Sequence, residues 1–257
     1  MHTLWVSRSA PEHHWEHLMP TGRAQLLVPV HDGATQPPFV QGGRSRAVTI
    51  STSSQAHLYG VDFAFGGPVV AFGPQAAPIV DSLVPLESFW GAAAQTLRRD
   101  LRNAADPTEG LAHLEVSLAA RLPPTDTEQT AFALACEQLL RGHRVGRVAA
   151  SVGLSGRRLI ELVRSKTGFT PKKLARLGRF QRLVGQIDSH PDWTSLAYVH
   201  GYADQAHMIR EFRTFTGMTP TAYWRARGGS ANHVPVAEET FNTPPRTGPY
   251  GEVQEAP

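Results

Sequence analysis

VAASVGLSGRRLIELVRSKTGFTP (residues 148–171) and LAYVHGYADQAHMIREFRTFTGMTP (residues 196–220) are two copies of one pattern. Val148, Ala149 and Gly153 recur as Leu196, Ala197 and Gly201 at an offset of 48. Leu159, Val163, Gly168 and Pro171 recur as Met208, Phe212, Gly217 and Pro220 at an offset of 49, which places one extra residue at the start of the second helix of the second copy. Each copy meets the needs of two helices joined by a sharp turn. Ala149 and Ala197 are small where the helices cross, and Gly153 and Gly201 tolerate the positive φ of the turn. Ser155 and Asp204 can cap the helix that follows. Leu159, Leu162 and Val163, and likewise Met208 and Phe212, form the buried face. The runs GFTP (168–171) and GMTP (217–220) end each second helix and begin the next.

A lone pattern of this kind is usually an ordinary helical corner. Two in register, joined by a basic segment, are much harder to obtain by chance. From Pro171 to about Asp188 a single helix is predicted, with Leu174, Leu177, Phe180, Leu183, Val184 and Ile187 inward and Lys172, Lys173, Arg176, Arg179 and Arg182 also on it. At 1.5 Å per residue it is roughly 25 Å long, which holds two second helices near one DNA turn apart. Arg157, Ile160, Glu161 and Arg164 occupy the outward face of the first copy; Gln205, Ala206, His207, Ile209 and Arg210 occupy that of the second. Side chains so placed can meet base edges in the major groove.

Charge points the same way. Residues 128–228 carry 16 Lys or Arg against 7 Asp or Glu, a net +9, whereas residues 1–127 and 229–257 each carry −3. A basic segment beside an acidic one suits a nucleic-acid-binding module joined to something else, although an Arg-rich solvated surface gives the same balance.

The rest of the chain reads as α+β. Short strands are expected at Ala24–Val30, which ends in the turn signal at 31–33, at Ala47–Ile50, and at 57–65, where Tyr59, Val61, Phe63 and Phe65 share a face until Gly66-Gly67-Pro68 closes the strand. Helices are expected from Ala76 to Ser82, from Pro85 to about Asn103, and after Asp106-Pro107 with Leu111, Leu114, Leu118 and Leu122 as the apolar stripe. The expected organisation is a β-rich sensor or regulatory domain (1–84), a helical linker region packing on it (85–127), an all-α tandem helix-turn-helix domain (128–228) and a disordered tail (229–257). The linker between helices falls at Pro123 to Glu128.

At GYADQAHMIREF (201–212) followed by GMTPTAYWR (217–225) the chain resembles the AraC/XylS family of transcriptional regulators, over about residues 130–227. The resemblance implies a sequence-specific regulator that is not an enzyme and needs no cofactor. It places Arg157, Ile160 and Glu161 at the base contacts of unit one, and Gln205, Ala206, His207 and Arg210 at those of unit two. Arg158, Arg164, Lys172, Lys173, Arg176 and Arg213 are the candidates for phosphates. Ile160 and Ala206 can read only thymine methyls, and Gly156 weakens the first recognition helix. Double-stranded DNA is the expected partner. RNA polymerase, a small-molecule effector in the N-terminal half and a second copy of the chain are further candidates. The N-terminal part, with Gly66-Gly67-Pro68 and PLESFW (85–90), is also similar to a subgroup of these regulators.

Other constellations are weaker. His13 and His17 have the spacing of a helical metal pair, but no third ligand follows and no metal is expected. Cys136, the single cysteine, sits in an apolar helix and reads as a small core residue. Trp5, Trp15, Phe39, Tyr59, Phe63, Phe65 and Phe72 can line a small-molecule pocket or fill a core. No signal segment, membrane-length apolar run or nucleotide-binding fingerprint is found, so the expected location is the cytoplasm. Two other classes stay open: an enzyme carrying a DNA-binding module, and an adaptor that no longer touches DNA.

Overall fold

The computed structural model describes residues 2–8, 11–30, 36–52, 57–77, 79–122, 127–187, 191–236, 246–247 and 253–254. A β-rich N-terminal region precedes a helical C-terminal one. The first sheet has the order β1-β6-β3-β4-β7 and is antiparallel throughout, with β1 at His2–Ser7, β3 at Gln25–Pro29, β4 at Phe39–Gln41, β6 at Leu58–Phe63 and β7 at Leu83–Pro85. Strand alternation divides its side chains cleanly. Leu26, Val28, Val40, Tyr59, Val61 and Phe63 face one way; Leu27, Phe39 and Leu58 face the other, where Trp5 and Leu83 join them.

Helices α3 (Ala93–Asn103) and α4 (Pro107–Ala119) cover the first face with Leu97, Leu101, Leu114 and Leu118. Asp106 starts α4 by accepting from the Thr108 and Glu109 amides, with Pro107 at the first position. The carboxylate is held below the usual range by those two amides. Gly110 lets α4 sit on the sheet, because a Cβ there would overlap the Tyr59 hydroxyl.

Several local expectations need correction. The helix expected from Ala76 to Ser82 is a 3-10 turn at Pro74–Ala76 that leads into β7, and Asp81 has a φ of 57, which no helix accepts. The helix expected from Pro85 is two: α2 (Glu87–Trp90) ends at Gly91, whose φ of 55 breaks it before α3. The strand before it stops at Phe63, and Gly67–Phe72 is a short helix, α1, with Pro68 in its first turn. The turn at 31–33 lies outside the described residues, as do positions 123–126 of the expected linker.

A second sheet joins the two ends of the chain. β2 (Trp15–Leu18) pairs with β5 (Val48–Ser51) on one side and with β8 (His233–Val236) on the other. Residues 233–236 are therefore a strand, not part of a disordered tail. Val234 is fully buried, and apolar burial of this kind is what a disordered segment lacks. The same sheet excludes a helical His13–His17 pair. His17 lies in β2 and bonds the Thr49 hydroxyl, while His13 bonds Glu16. Burial lowers the His17 pKa. Among the described residues no cluster of three or more potential metal ligands occurs, and no helix is long and apolar enough to cross a membrane.

The C-terminal region comprises α5 (Thr127–Leu140), α6 (Val145–Ser151), α7 (Gly156–Thr167), α8 (Pro171–Gln186), α9 (Trp193–Val199), α10 (Gln205–Thr216) and α11 (Pro220–Ala226). Its two cores each take residues from outside it. Phe65 enters the core of Phe132, Cys136, Val148, Leu159 and Val163. Met19 and Val234 enter the core of Phe180, Met208, Phe212 and Tyr223, with Ala47 packed against it. Polar bonds reinforce the seam: Arg23 pairs with Glu137 at 2.5 Å, Gln181 donates to the Pro20 carbonyl at 2.5 Å, and the Ala47 amide donates to Phe215 at 2.6 Å.

Met19 is 1% exposed, so Met19→Ala should cost about 2–5 kcal/mol. In urea unfolding the loss should appear in helical signal of the C-terminal region; an unchanged midpoint would show that the shared core contributes nothing. Cys136 is buried, and burial pushes its thiol up to about 12. A thiol-alkylating reagent should therefore label it only at the rate of unfolding, whereas fast labelling of the native protein would contradict this packing.

Candidate nucleic-acid interface

The two copies fold alike down to single hydrogen bonds. In the first, α6 and α7 meet at Gly153 (φ 68); in the second, α9 and α10 meet at Gly201 (φ 70). Neither glycine has an atom near the position a Cβ would take, so backbone conformation alone requires it. The turns close with the same bond: Leu154 N–H to the Ala149 carbonyl, and Tyr202 N–H to the Ala197 carbonyl, each at 2.9 Å. Ser155 then accepts from the Arg158 amide, and Asp204 from the His207 amide. Gly168 and Gly217 end α7 and α10 in the left-handed conformation (φ 72 and 75), and Thr170 and Thr219 cap α8 and α11.

One detail shifts. The extra residue of the second copy lies in the turn, not in the helix: Leu154 alone separates Gly153 from its cap, whereas Tyr202 and Ala203 separate Gly201 from Asp204. Tyr202 is buried there and meets His207 edge-on at 5.4 Å.

The outward faces carry the residues the helical period assigns to them except Ile209, which is half-buried and packs against the core of Met208, Phe212 and Tyr223. In α7, Arg157, Arg158, Ile160, Glu161 and Arg164 are exposed. Arg157 and Arg158 both pair with Glu161, at 3.1 and 3.8 Å, which as surface pairs add little to stability. In α10, Gln205, Ala206, Arg210 and Arg213 are exposed, and Gln205 accepts from the Thr194 hydroxyl at 3.1 Å. His207 is half-buried, and its Nδ1 accepts from the Ala203 amide at 3.3 Å. On α8, Lys172 is exposed and Lys173 lies 5.5 Å from the Phe169 ring centre.

Arg176, expected to meet phosphate, is half-buried and also has a partner within the protein. It donates to Glu211 at 2.7 Å, and Arg179 binds the same carboxylate through both Nε and Nη2. Glu211 had no role in the sequence reading. The available signal was its position within the buried stripe of Met208, Phe212 and Phe215, where a carboxylate demands a partner.

A family model described as a helix-turn-helix domain matches residues 148–226. These residues are an AraC-type helix-turn-helix domain. The protein is accordingly a DNA-binding transcriptional regulator at that level of description. Among solved structures, the chain is similar to a DNA-binding transcriptional dual regulator from Escherichia coli K-12, at 20% identity and a TM-score of 0.32, over 39% of this chain and 91% of that one. It is also similar to ToxT from Vibrio cholerae O395, at 10% identity and a TM-score of 0.39, over 89% of this chain and 95% of that one. A ToxT structure from strain SCE256, described as bound to an unsaturated fatty acid, gives 10% identity, a TM-score of 0.39 and coverage of 89% and 92%. No curated protein matches the chain.

Within the AraC-type domain the turn glycines provide a stability test. Gly153→Ala or Gly201→Ala should destabilise by about 1–2 kcal/mol from strain alone. Gly185→Ala, at an open helical site in α8, should instead stabilise by about 0.5–1 kcal/mol. Thermal unfolding showing the same sign for all three would refute the conformational assignment.

Proposed function

We propose that this protein is a sequence-specific transcriptional regulator whose two helix-turn-helix units read successive major-groove segments on one face of double-stranded DNA. The supporting observation is the duplicated turn and cap geometry carried on one rigid connector, α8, which spans 16 residues. In this reading α8, against which α10 packs through Arg176, Arg179 and Phe180, holds α7 and α10 for major-groove segments about one turn of the duplex apart.

In this reading Arg157, Ile160 and Glu161 meet bases from α7, and Gln205, Ala206, His207 and Arg210 meet them from α10. Arg210 suits a guanine edge, Glu161 suits a cytosine amino group, and Ile160 and Ala206 suit thymine methyls. Arg158, Arg164, Lys172, Lys173 and Arg213 neutralise phosphates; Arg176 contributes only what its pairing with Glu211 leaves.

The N-terminal region acts as the regulatory half, because it inserts Phe65 and Met19 into the two cores that position the readers. Phe39, Tyr59 and Phe72 fill cores, whereas Phe63 both fills a core and borders the cavity beside Phe65. The seam beside Phe65, Arg23 and Lys166 encloses about 30 Å³, space for about one water. A small-molecule effector acting there works by opening the seam. A second copy and RNA polymerase are the macromolecular partners of this reading.

Selection of random duplex DNA against the full chain should recover two sequence blocks about 10 base pairs apart. Arg210→Ala should then cost about 1–3 kcal/mol on the selected site and relax the preference in one block, while Arg213→Ala weakens selected and random DNA alike and reduces the salt slope by about one. Absence of salt-sensitive binding to any duplex would sink the proposal.

A further inference from the structure

Glu211 is 4% exposed and lies one position beyond Arg210 on α10. A buried carboxylate is strongly unfavourable unless paired and fully hydrogen-bonded. Both conditions are met by α8. Arg176 Nε donates to one carboxylate oxygen at 2.7 Å; Arg179 Nε and Nη2 donate to the other at 3.0 and 2.9 Å, and Nη2 also reaches the first at 3.0 Å. The remaining Arg179 nitrogen, Nη1, donates to the Gly201 carbonyl at 3.2 Å, and its guanidinium lies 4.5 Å from the Tyr202 ring centre. One arginine therefore holds the connector, the turn and the recognition helix together. Unit one has no such lock, since the position equivalent to Glu211 at the 49-residue offset is Leu162.

We propose that Glu211 is a positioning residue which, through Arg179 and Arg176, fixes the rotation of α10 and so decides which of its side chains face the DNA. This rests on the DNA-reading function proposed above. A helix turns by about 100° per residue, so a modest rotation about its axis exchanges one reading side chain for another. The planar guanidinium fork suits this task because it fixes direction as well as distance. The lock also withholds two cations from phosphate, so that α8 contributes less indiscriminate attraction than its sequence suggests.

The test is to repeat the random-duplex selection with full-length Glu211→Gln beside the wild type, measuring salt dependence and thermal unfolding of both. The amide keeps the shape and removes the charge, which frees Arg176 and Arg179. The block read by unit two should flatten, with the preference for selected over random DNA falling about tenfold or more, while the block read by unit one persists. Affinity for random duplex should hold or rise, with a salt slope steeper by about one to two. A purely structural role would instead lower selected and random binding together, and that result overturns the proposal, as does a variant that retains both blocks. If Glu211→Gln does not fold, Arg179→Lys keeps the charge and loses the fork. It should flatten the unit-two block without steepening the salt slope, and a sharp unit-two block in that variant is equally decisive against the lock. A wild type that binds duplex yet yields no motif defeats the reading beneath it instead.

Discussion

Everything in this structure depends on the fact that neither helix-turn-helix unit completes its own core. A recognition unit of short helices has two faces to satisfy, one for a ligand and one for the protein, and little apolar area to spend on the second. Phe65 closes the core behind α7, and Met19 with Val234 closes the one behind α10. These residues come from the N-terminal region and from the strand that follows the C-terminal helices. Because the cores are shared, a force that orients α10 is felt at β2, and a change at β2 is felt at α10. Such coupling is reciprocal by thermodynamic necessity. The strand β8 makes it tighter: it returns from α11 to pair with β2, and on the way the Tyr223 hydroxyl donates to the Ala231 carbonyl at 2.7 Å.

What could be read from the sequence follows from the range of the interactions. The helices of the C-terminal region are specified locally, by caps one to three residues away and by glycines whose φ is set by the turn itself; these were legible at Ser155, Asp204, Gly168 and Gly217. Strands are specified by partners. β3, β5 and β6 announced themselves through alternation and β-branched residues, but β4 and β7 are three residues long and carry no period. β8 pairs with a strand more than two hundred residues earlier, as the His233 to Glu16 bond illustrates, and nothing near it in sequence signals the pairing. The helices wrongly expected around Ala76 and through Gly91 failed for the opposite reason. Their apolar spacing was real, but Asp81 and Gly91 adopt positive φ and terminate it.

The candidate site divides along the same line. A helical wheel is enough to say that Arg157, Ile160, Arg164, Gln205, Ala206 and Arg210 face outward, because exposure is a property of one helix. It cannot say which outward cation already has a partner on another helix. Arg176 and Lys172 look equivalent on the wheel of α8, yet one is bonded to Glu211 and the other is exposed. Charge counted along the chain therefore overstates the charge available to DNA.

The two units also differ in how firmly they are held. Behind α10, Phe180 meets Phe212 edge-on at 5.3 Å and Phe215 at a tilt at 5.0 Å, and Phe212 meets Tyr223 edge-on at 5.4 Å, beside the Glu211 lock. Behind α7 the core mixes Val148, Leu159 and Val163 with Phe65, Phe132 and Phe169, no carboxylate lock stands beside it, and the helix opens on Gly156. A bidentate ion pair is directional; apolar packing is much less so. A reader held by such a lock arrives at the duplex already oriented and loses less entropy on docking, whereas one without it can adjust to the DNA it meets. The two units thus share the same turn geometry and capping pattern but differ in the contacts that hold their second helices. Discrimination between sequences should be concentrated where the scaffold permits the least adjustment, at α10.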